Sequence, residues 1–425
     1  MTAIVYLLAG LIVLVRVYVP ISITVLGLWP LRFSLFFLWF LAVKNVGGPS
    51  WRNFVRTLRS RSTEMTYYGI WVAVLTCFWL LQQGEHLLTS YLLTAYIGAI
   101  PFYFVGTYFS VSENKGRRMA LATAVVVGIT CLIAIPNVWQ DPTLVRMGAI
   151  DSTAETRSLG IGSYGDLTGF GIVLPFFISS AFQSRRFARM LGIVACGATV
   201  ALLMISTFSG MILLAGMAVT GCILYYLFLG GIHLRRTLWT SAAVMVVGVA
   251  TIALFPGVSE RGQFAFDKLG TTSASLPDIL AGEADDPTQR YTLMLTSLSV
   301  FLEYPIFGNS LVRETTWTPR IGGHSSWIDA LAIFGVVGCI PYIMWHLFVA
   351  RRLWRAWRSD RTNAVYWGCL LSCGLYLFYG FFNVTTQSTT IALFVYVIAA
   401  GGQPTLPPRR RPVWISRPAN TSRDP

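Results

Sequence analysis

Apolar residues in this chain come in long unbroken runs, not in the alternating or three-and-four patterns of half-buried strands and helices. Twelve such runs occur, at 3–15, 21–43, 66–82, 87–111, 119–135, 166–183, 191–206, 210–229, 237–255, 326–349, 363–382 and 386–400. Several approach the roughly 20 residues that a helix rising 1.5 Å per residue needs to cross about 30 Å of hydrocarbon. The pattern predicts an all-α polytopic membrane protein with about twelve transmembrane helices. Two long polar stretches interrupt it, 137–165 and 256–325, the second between the ninth and tenth runs. Connections of that length are uncommon in compact folds unless they carry function. The first run is short, is followed by Arg16 and shows no small-residue cleavage site, so it reads as a retained helix and not as a signal peptide.

Composition supports this class. Of 425 residues, 55% are hydrophobic and 12% charged, and mean hydropathy is +0.62; soluble domains carry about 25% charged residues. All seven cysteines (77, 131, 196, 222, 339, 369 and 373) lie in apolar runs, which argues against both a disulfide framework and a cysteine metal site.

The net charge of +14 says less than its distribution. Of 32 lysines and arginines, 23 fall in alternate connections at 44–65, 112–118, 184–190, 230–236 and 350–362 and in the tail, and 8 in the other connections. The positive-inside rule then makes both termini cytoplasmic and turns 137–165 and 256–325 outward. The expected arrangement is a multi-pass membrane protein with both termini inside. Residues 1–403 are expected to form one transmembrane domain, and the Pro- and Arg-rich cytoplasmic tail 404–425 to be disordered, with anionic lipid headgroups as its natural contact. Basic residues scattered over short loops do not make a nucleic-acid surface.

Candidate chemistry is confined to the polar stretches. The chain has no GxxxxGK[ST] loop, HExxH, CxxC pair or GxSxG elbow, so nucleotide hydrolysis, zinc proteolysis and hydrolase chemistry lack their usual signatures. Three positions stand out. Arg290 falls in the first turn of a helix expected to start at Asp286-Pro287 and run to Glu303; its apolar stripe (Leu293, Met294, Leu298, Phe301) suits a membrane surface. An ion pair with Asp285 or Asp286 explains this arginine as well as a diphosphate site at a helix start does. His324 follows Gly322-Gly323 and precedes Ser325, the expected N-cap of the tenth helix. There the positive helix end favours a neutral imidazole able to take a proton. A histidine simply bonded to a nearby carbonyl fits equally well. Arg157 leads a run with glycines at 160, 162 and 165 that permits a nest of backbone N–H groups, and Asp166 then caps or lines the sixth helix.

Arg320 lies close before His324, and Arg32 sits inside the second run. Arg32 is either first-turn in a helix starting at Pro30 or an inward-facing intramembrane cation. Glu283, Asp285 and Asp286 read as a solvated loop and helix cap, not as a cation site. His86, His233 and His346 read as helix-end or cytoplasmic-face residues without a role.

Four stretches together resemble the bacterial O-antigen ligase and O-antigen polymerase (WaaL-like and Wzy-like) superfamily. They are Arg157 to Pro175, the short turn Ser206-Thr207-Phe208-Ser209-Gly210, Arg290 to Asn309 with its Pro305-x-x-Gly308, and His324 to Gly338 with its closing Gly335-x-x-Gly338. The chain departs from the family at Gly210, often arginine there, and at Ser325, often asparagine; both departures lean toward a polymerase.

The resemblance implies a twelve-helix extracytoplasmic glycosyltransferase, needing neither metal, nucleotide nor other cofactor. Its donor would be an undecaprenyl-diphosphate-linked glycan, and its acceptor a polysaccharide (exopolysaccharide) or the lipid-A core of lipopolysaccharide. Arg157 and Arg290 would hold the diphosphate and His324 would take the acceptor proton. Arg32, Asp166 and Arg320 are further site candidates. The rival expectation is a transporter or flippase for an anionic or lipid-linked substrate, which should show ionisable groups and interrupted helices near the midplane.

Overall fold

The computed structural model describes residues 2–18, 25–81, 96–140, 164–184, 186–206, 209–228, 290–309, 325–386 and 388–401. Every extended element among them is helical. In chain order these are α1 (Thr2–Tyr18), α2 (Val25–Val46), α3 (Gly48–Ser60), α4 (Ser62–Leu81), α5 (Gly98–Ser110), α6 (Glu113–Gln140), α7 (Tyr164–Phe182), α8 (Arg186–Ile205), α9 (Ser209–Phe228), α10 (Arg290–Glu303), α11 (Ser326–Ser359), α12 (Ala364–Phe382) and α13 (Ser388–Ala400). Seven described helices are long and apolar enough to cross a membrane: α4, α6, α7, α8, α9, α11 and α12. The apolar run 237–255 and most of the stretch 256–325 lie outside the described residues.

α7 is the hub. It is buried on all sides, packing against α6, α8, α9, α12 and α13, and Gly169 and Gly368 let neighbouring backbones close in on it. A side chain at Gly169 would meet the Thr390 backbone, and one at Gly368 the Pro175 carbonyl. α11 runs along α4 through an aromatic seam in which Trp71 meets Phe334 edge-on (5.1 Å) and Tyr67 stacks on Phe348 (5.2 Å).

Two elements differ from the sequence reading. α2 begins at Val25 and runs through Pro30, so Arg32 sits two turns inside the helix and not in its first turn. Pro30 forfeits only the one bond to residue 26, which a 22-residue helix tolerates; the Arg32 side chain lies outside the described residues. α3 falls in the connection 44–65, read above only as a basic loop. Its Trp51, Phe54 and Leu58 recur at helical spacing; Phe54 is fully buried against Trp39 and Tyr108, and Arg52, Arg56 and Arg59 face outward.

Candidate functional site

The bundle has two chemically distinct ends. At one, α7, α9, α11 and α13 all begin. The Gly165 carbonyl at the start of α7 accepts from Thr390 Oγ1 at the start of α13 (2.7 Å). Gly210, opening α9, lies against the Tyr379 hydroxyl near the end of α12, and Tyr379 Oη accepts from Asn383 Nδ2 (2.8 Å). Asn383 O accepts from the Ser326 N–H (3.3 Å) and hydroxyl (3.2 Å) at the start of α11, and Ser326 Oγ accepts from Thr385 N (2.6 Å). Helix starts present free N–H groups and a partial positive charge. Four of them thus gather at this hydroxyl-rich end.

Ser325 and Asp329 form a reciprocal cap on α11. Ser325, in extended conformation, accepts from Ile328 N through its hydroxyl (3.3 Å), and its own N–H donates to Asp329 Oδ2 (3.2 Å). Asp329 Oδ1 accepts from Ser297 Oγ of α10 at 2.7 Å. One buried carboxylate therefore ties the helix that opens on Arg290 to the residue next to His324. The signal was present in the sequence: a serine followed by a carboxylate about one turn on is a capping pattern.

α10 lies beside α11 and runs in the same direction. Ser297 pairs with Asp329, and eight residues on Pro305 O accepts from Val336 N (2.9 Å) while Ile306 O accepts from Val337 N (3.1 Å). This contact needs two glycines. Gly335 breaks α11 with φ 63°, ψ −172°, and Gly308 has φ 68°, the left-handed region that only glycine enters freely. A Cβ at Gly308 would strike the Ile333 carbonyl, and one at Gly335 the Ile306 carbonyl. The Pro-x-x-Gly and Gly-x-x-Gly motifs are two halves of one joint.

Of the sequence-predicted site residues, Asp166 is buried in the first turn of α7 and Arg290 is the first residue of α10, its side chain undescribed. Arg157, Arg320, His324 and the expected cap Asp286-Pro287 lie outside the described residues. Of these only His324 directly adjoins a described residue, and the helices that the candidate stretches lead into are placed. Arg157 precedes α7, Arg290 opens α10, His324 adjoins Ser325, and the Ser209-Gly210 turn opens α9, each a helix running inward from the hydroxyl-rich end. Among the described residues no group of three or more His, Cys, Asp or Glu side chains is placed to hold a metal ion.

The opposite end holds what sequence reasoning missed. Arg352 of α11 donates through Nε to Glu64 Oε2 (2.8 Å) and through its terminal nitrogens to the carbonyls of Ile398 and Gly401. Arg61 is 2% exposed; it donates to Thr107 Oγ1 (3.0 Å) and to Ala399 O (2.6 Å). Tyr103 completes the group with a hydrogen bond to Glu64 Oε1 (3.2 Å). Burial, together with the neighbouring Arg352, lowers the Arg61 pKa to about 10, so it stays charged at neutral pH. Both arginines were counted above as loop cations; here they clamp the C-terminus of α13.

His346 is the second omission. It lies buried within α11 and not at a helix end, with Nδ1 2.8 Å from Tyr342 O. Tyr376 stacks on it (5.5 Å), and Trp345 and Tyr342 meet it edge-on (4.4 Å each).

The chain matches no protein-family model and no curated protein.

Proposed function

We propose that this protein is an extracytoplasmic glycosyltransferase that moves a glycan from an undecaprenyl-diphosphate carrier to an acceptor sugar hydroxyl, as an O-antigen or exopolysaccharide polymerase or an O-antigen ligase. One observation carries the reading. The four stretches that resemble that superfamily, scattered from 157 to 338 in the chain, all lead into helices that start at one end of the bundle, and two of them are joined through Asp329 and the Gly308–Gly335 contact. A cluster of helix starts favours an anion, as a diphosphate leaving group is. In this reading Arg157 and Arg290 stabilise the charge that grows as the anomeric C–O bond breaks. His324 takes the acceptor proton, and Arg32, Asp166 and Arg320 serve substrate contact. The hydroxyl-rich end faces outward and the arginine end, with its basic connections, faces the cytoplasm of a bacterial inner membrane.

The transporter reading draws on the break in α11 and on buried His346. Two features weigh against it. The N–H groups freed by the break are taken by the Pro305 and Ile306 carbonyls, so they are not offered to an anion, and His346 is closed in by rings.

The deciding experiment is glycan transfer by purified protein with a lipid-linked donor. His324→Ala should lower the rate about 10²–10⁴-fold, the usual worth of a general base, while donor binding persists. Normal transfer by that variant removes His324 from the mechanism. Lipid-linked substrate crossing protein-loaded vesicles without any transfer would favour the transporter.

A further inference from the structure

α10 carries an apolar stripe that no described element covers. Ser297 and Val300 are buried on the side facing α11, whereas Leu295, Leu298 and Leu302 are exposed, Leu302 at 69%, and Ile306 and Phe307 continue the exposure past the helix end. Read from sequence, this helix lies flat on the membrane surface. The contacts set a different attitude. A helix lying flat would cross α11; α10 instead keeps step with it, Ser297 level with Asp329 and Ile306 level with Val337.

Depth follows from α11 itself. Exposed Arg351 marks one edge of its apolar part, and about 20 residues of helix span the hydrocarbon, so the other edge falls near Leu331. At 1.5 Å per residue, Val336 and Val337 lie roughly 8–9 Å inside that edge. Their partners Pro305 and Ile306 lie at the same depth, Leu302 a few ångströms inside the edge, and Leu298 and Leu295 at or above it. Val336, Val337 and Ile340 are themselves exposed and apolar, so the α10 stripe continues a surface that already meets lipid. Glu303 is also exposed, but it stands off the stripe by about a quarter turn, where its side chain can reach up toward the headgroups.

We propose that α10 and the turn 304–308 are a re-entrant element: they dip from the hydroxyl-rich end into the adjacent leaflet, lipid acyl chains cover Leu302, Ile306 and Phe307, and Leu298 and Leu295 rise through the headgroup region. The joint at Gly308 and Gly335 anchors the submerged tip, and the Asp329–Ser297 bond anchors the helix above it. Arg290, seven residues before Ser297, is left about 10 Å farther out, clear of the hydrocarbon. The proposal depends on the bundle crossing a bilayer and not on glycan transfer.

Nitroxide labels on single cysteines at Leu295, Leu298, Leu302 and Ile306 test it. The background is Cys77→Ser, which removes the exposed thiol and leaves six buried ones. The protein is reconstituted in vesicles of phosphatidylethanolamine and phosphatidylglycerol. Collision with oxygen relative to a water-soluble nickel chelate should rise stepwise from 295 to 306, across about 12 Å between 298 and 306, and at 306 should come close to, but stay below, a label at Ile340, which lies about 4–5 Å deeper. Equal ratios at 295, 298 and 302 mean a surface-lying helix and overturn the proposal. Labels at 302 and 306 reached by neither reagent mean a covering segment of the chain itself and overturn it too. A label at Ile340 open to nickel shows that α11 does not cross the bilayer, and the proposal falls with it whatever the activity.

Discussion

The two ends of the bundle face the same problem and solve it with opposite chemistry. At the arginine end, the C-terminus of α13 leaves carbonyls without helical partners, and Arg61 and Arg352 take those of Ile398, Ala399 and Gly401. Of the two cations only Arg352 pairs directly with the Glu64 carboxylate, which Arg61 feels at longer range; the negative pole of α13 supplies the balance. At the hydroxyl-rich end, helices begin, and the orphan groups are N–H donors. Serine, threonine and asparagine side chains with one buried carboxylate satisfy some of them. A buried ion cluster inside a membrane-type bundle usually signals function. Here the cluster saturates its own acceptors and does structural duty, whereas the quieter end carries the stretches from which chemistry is expected.

The comparison breaks most visibly at Glu64. Glu64→Ala strips Arg352 of its counter-ion and leaves two buried guanidiniums in mutual repulsion, so it should cost about 3–5 kcal/mol. Thermal unfolding in detergent reads this directly, with the exposed Arg358→Ala as control, expected within about 0.5 kcal/mol. A Glu64→Ala protein as stable as that control would show that the cluster is not what holds α13 to α4 and α11.

At the other end the largest effect belongs to the glycine joint. Gly335→Ala places a Cβ against the Ile306 carbonyl and forces a left-handed residue. Together these cost about 2–4 kcal/mol. Gly374→Ala in α12, where nothing lies within 4 Å of a Cβ, should be neutral or slightly stabilising. Limited proteolysis near residue 309 should rise in the first variant alone. Equal behaviour of the two would mean that α10 is held by other contacts.

The helices were largely legible, because a run of apolar residues near membrane length has few other uses. Eleven of the twelve runs overlap described helices, the run 87–111 only in its second half, and seven of those helices are long and apolar enough to cross a membrane. α3 was hidden because its arginines also serve as topology signals, and a thirteen-residue amphipathic helix has no length to announce it. The Arg61–Glu64–Arg352 cluster was not legible at all. Its members lie up to 338 residues from their partners, and no local pattern marks an arginine that will be buried. The glycines at 308 and 335 were visible as motif positions, but spacing cannot say that two turns will lock together. The Ser325–Asp329 cap was readable, since both partners sit within one turn. Arg157, Arg320 and His324 lie outside the described residues.

The smallest effect sharpens the family resemblance. Ser325 departs from the asparagine often found after the family histidine, and the structure gives the position a physical job. Its hydroxyl accepts from Ile328 N, a contact worth about 1 kcal/mol on replacement by alanine. The loss should fall in the lower part of the usual range, because Asp329 still holds the Ser325 N–H after the hydroxyl is gone. Asparagine caps helices as well as serine does. Ser325 is fully buried and its hydroxyl also meets the Gly380 carbonyl, so Ser325→Asn should keep the cap but lose about 1 kcal/mol in seating the larger side chain, and Ser325→Ala should lose about 0.5–1 kcal/mol. Thermal unfolding measured beside transfer rate separates two meanings of the departure. If both variants transfer at rates that follow their stability, position 325 only starts α11 and the family difference is conservative. If Ser325→Asn transfers more slowly than its stability loss accounts for, the hydroxyl touches the reaction, and serine at 325 tunes what the neighbouring His324 does.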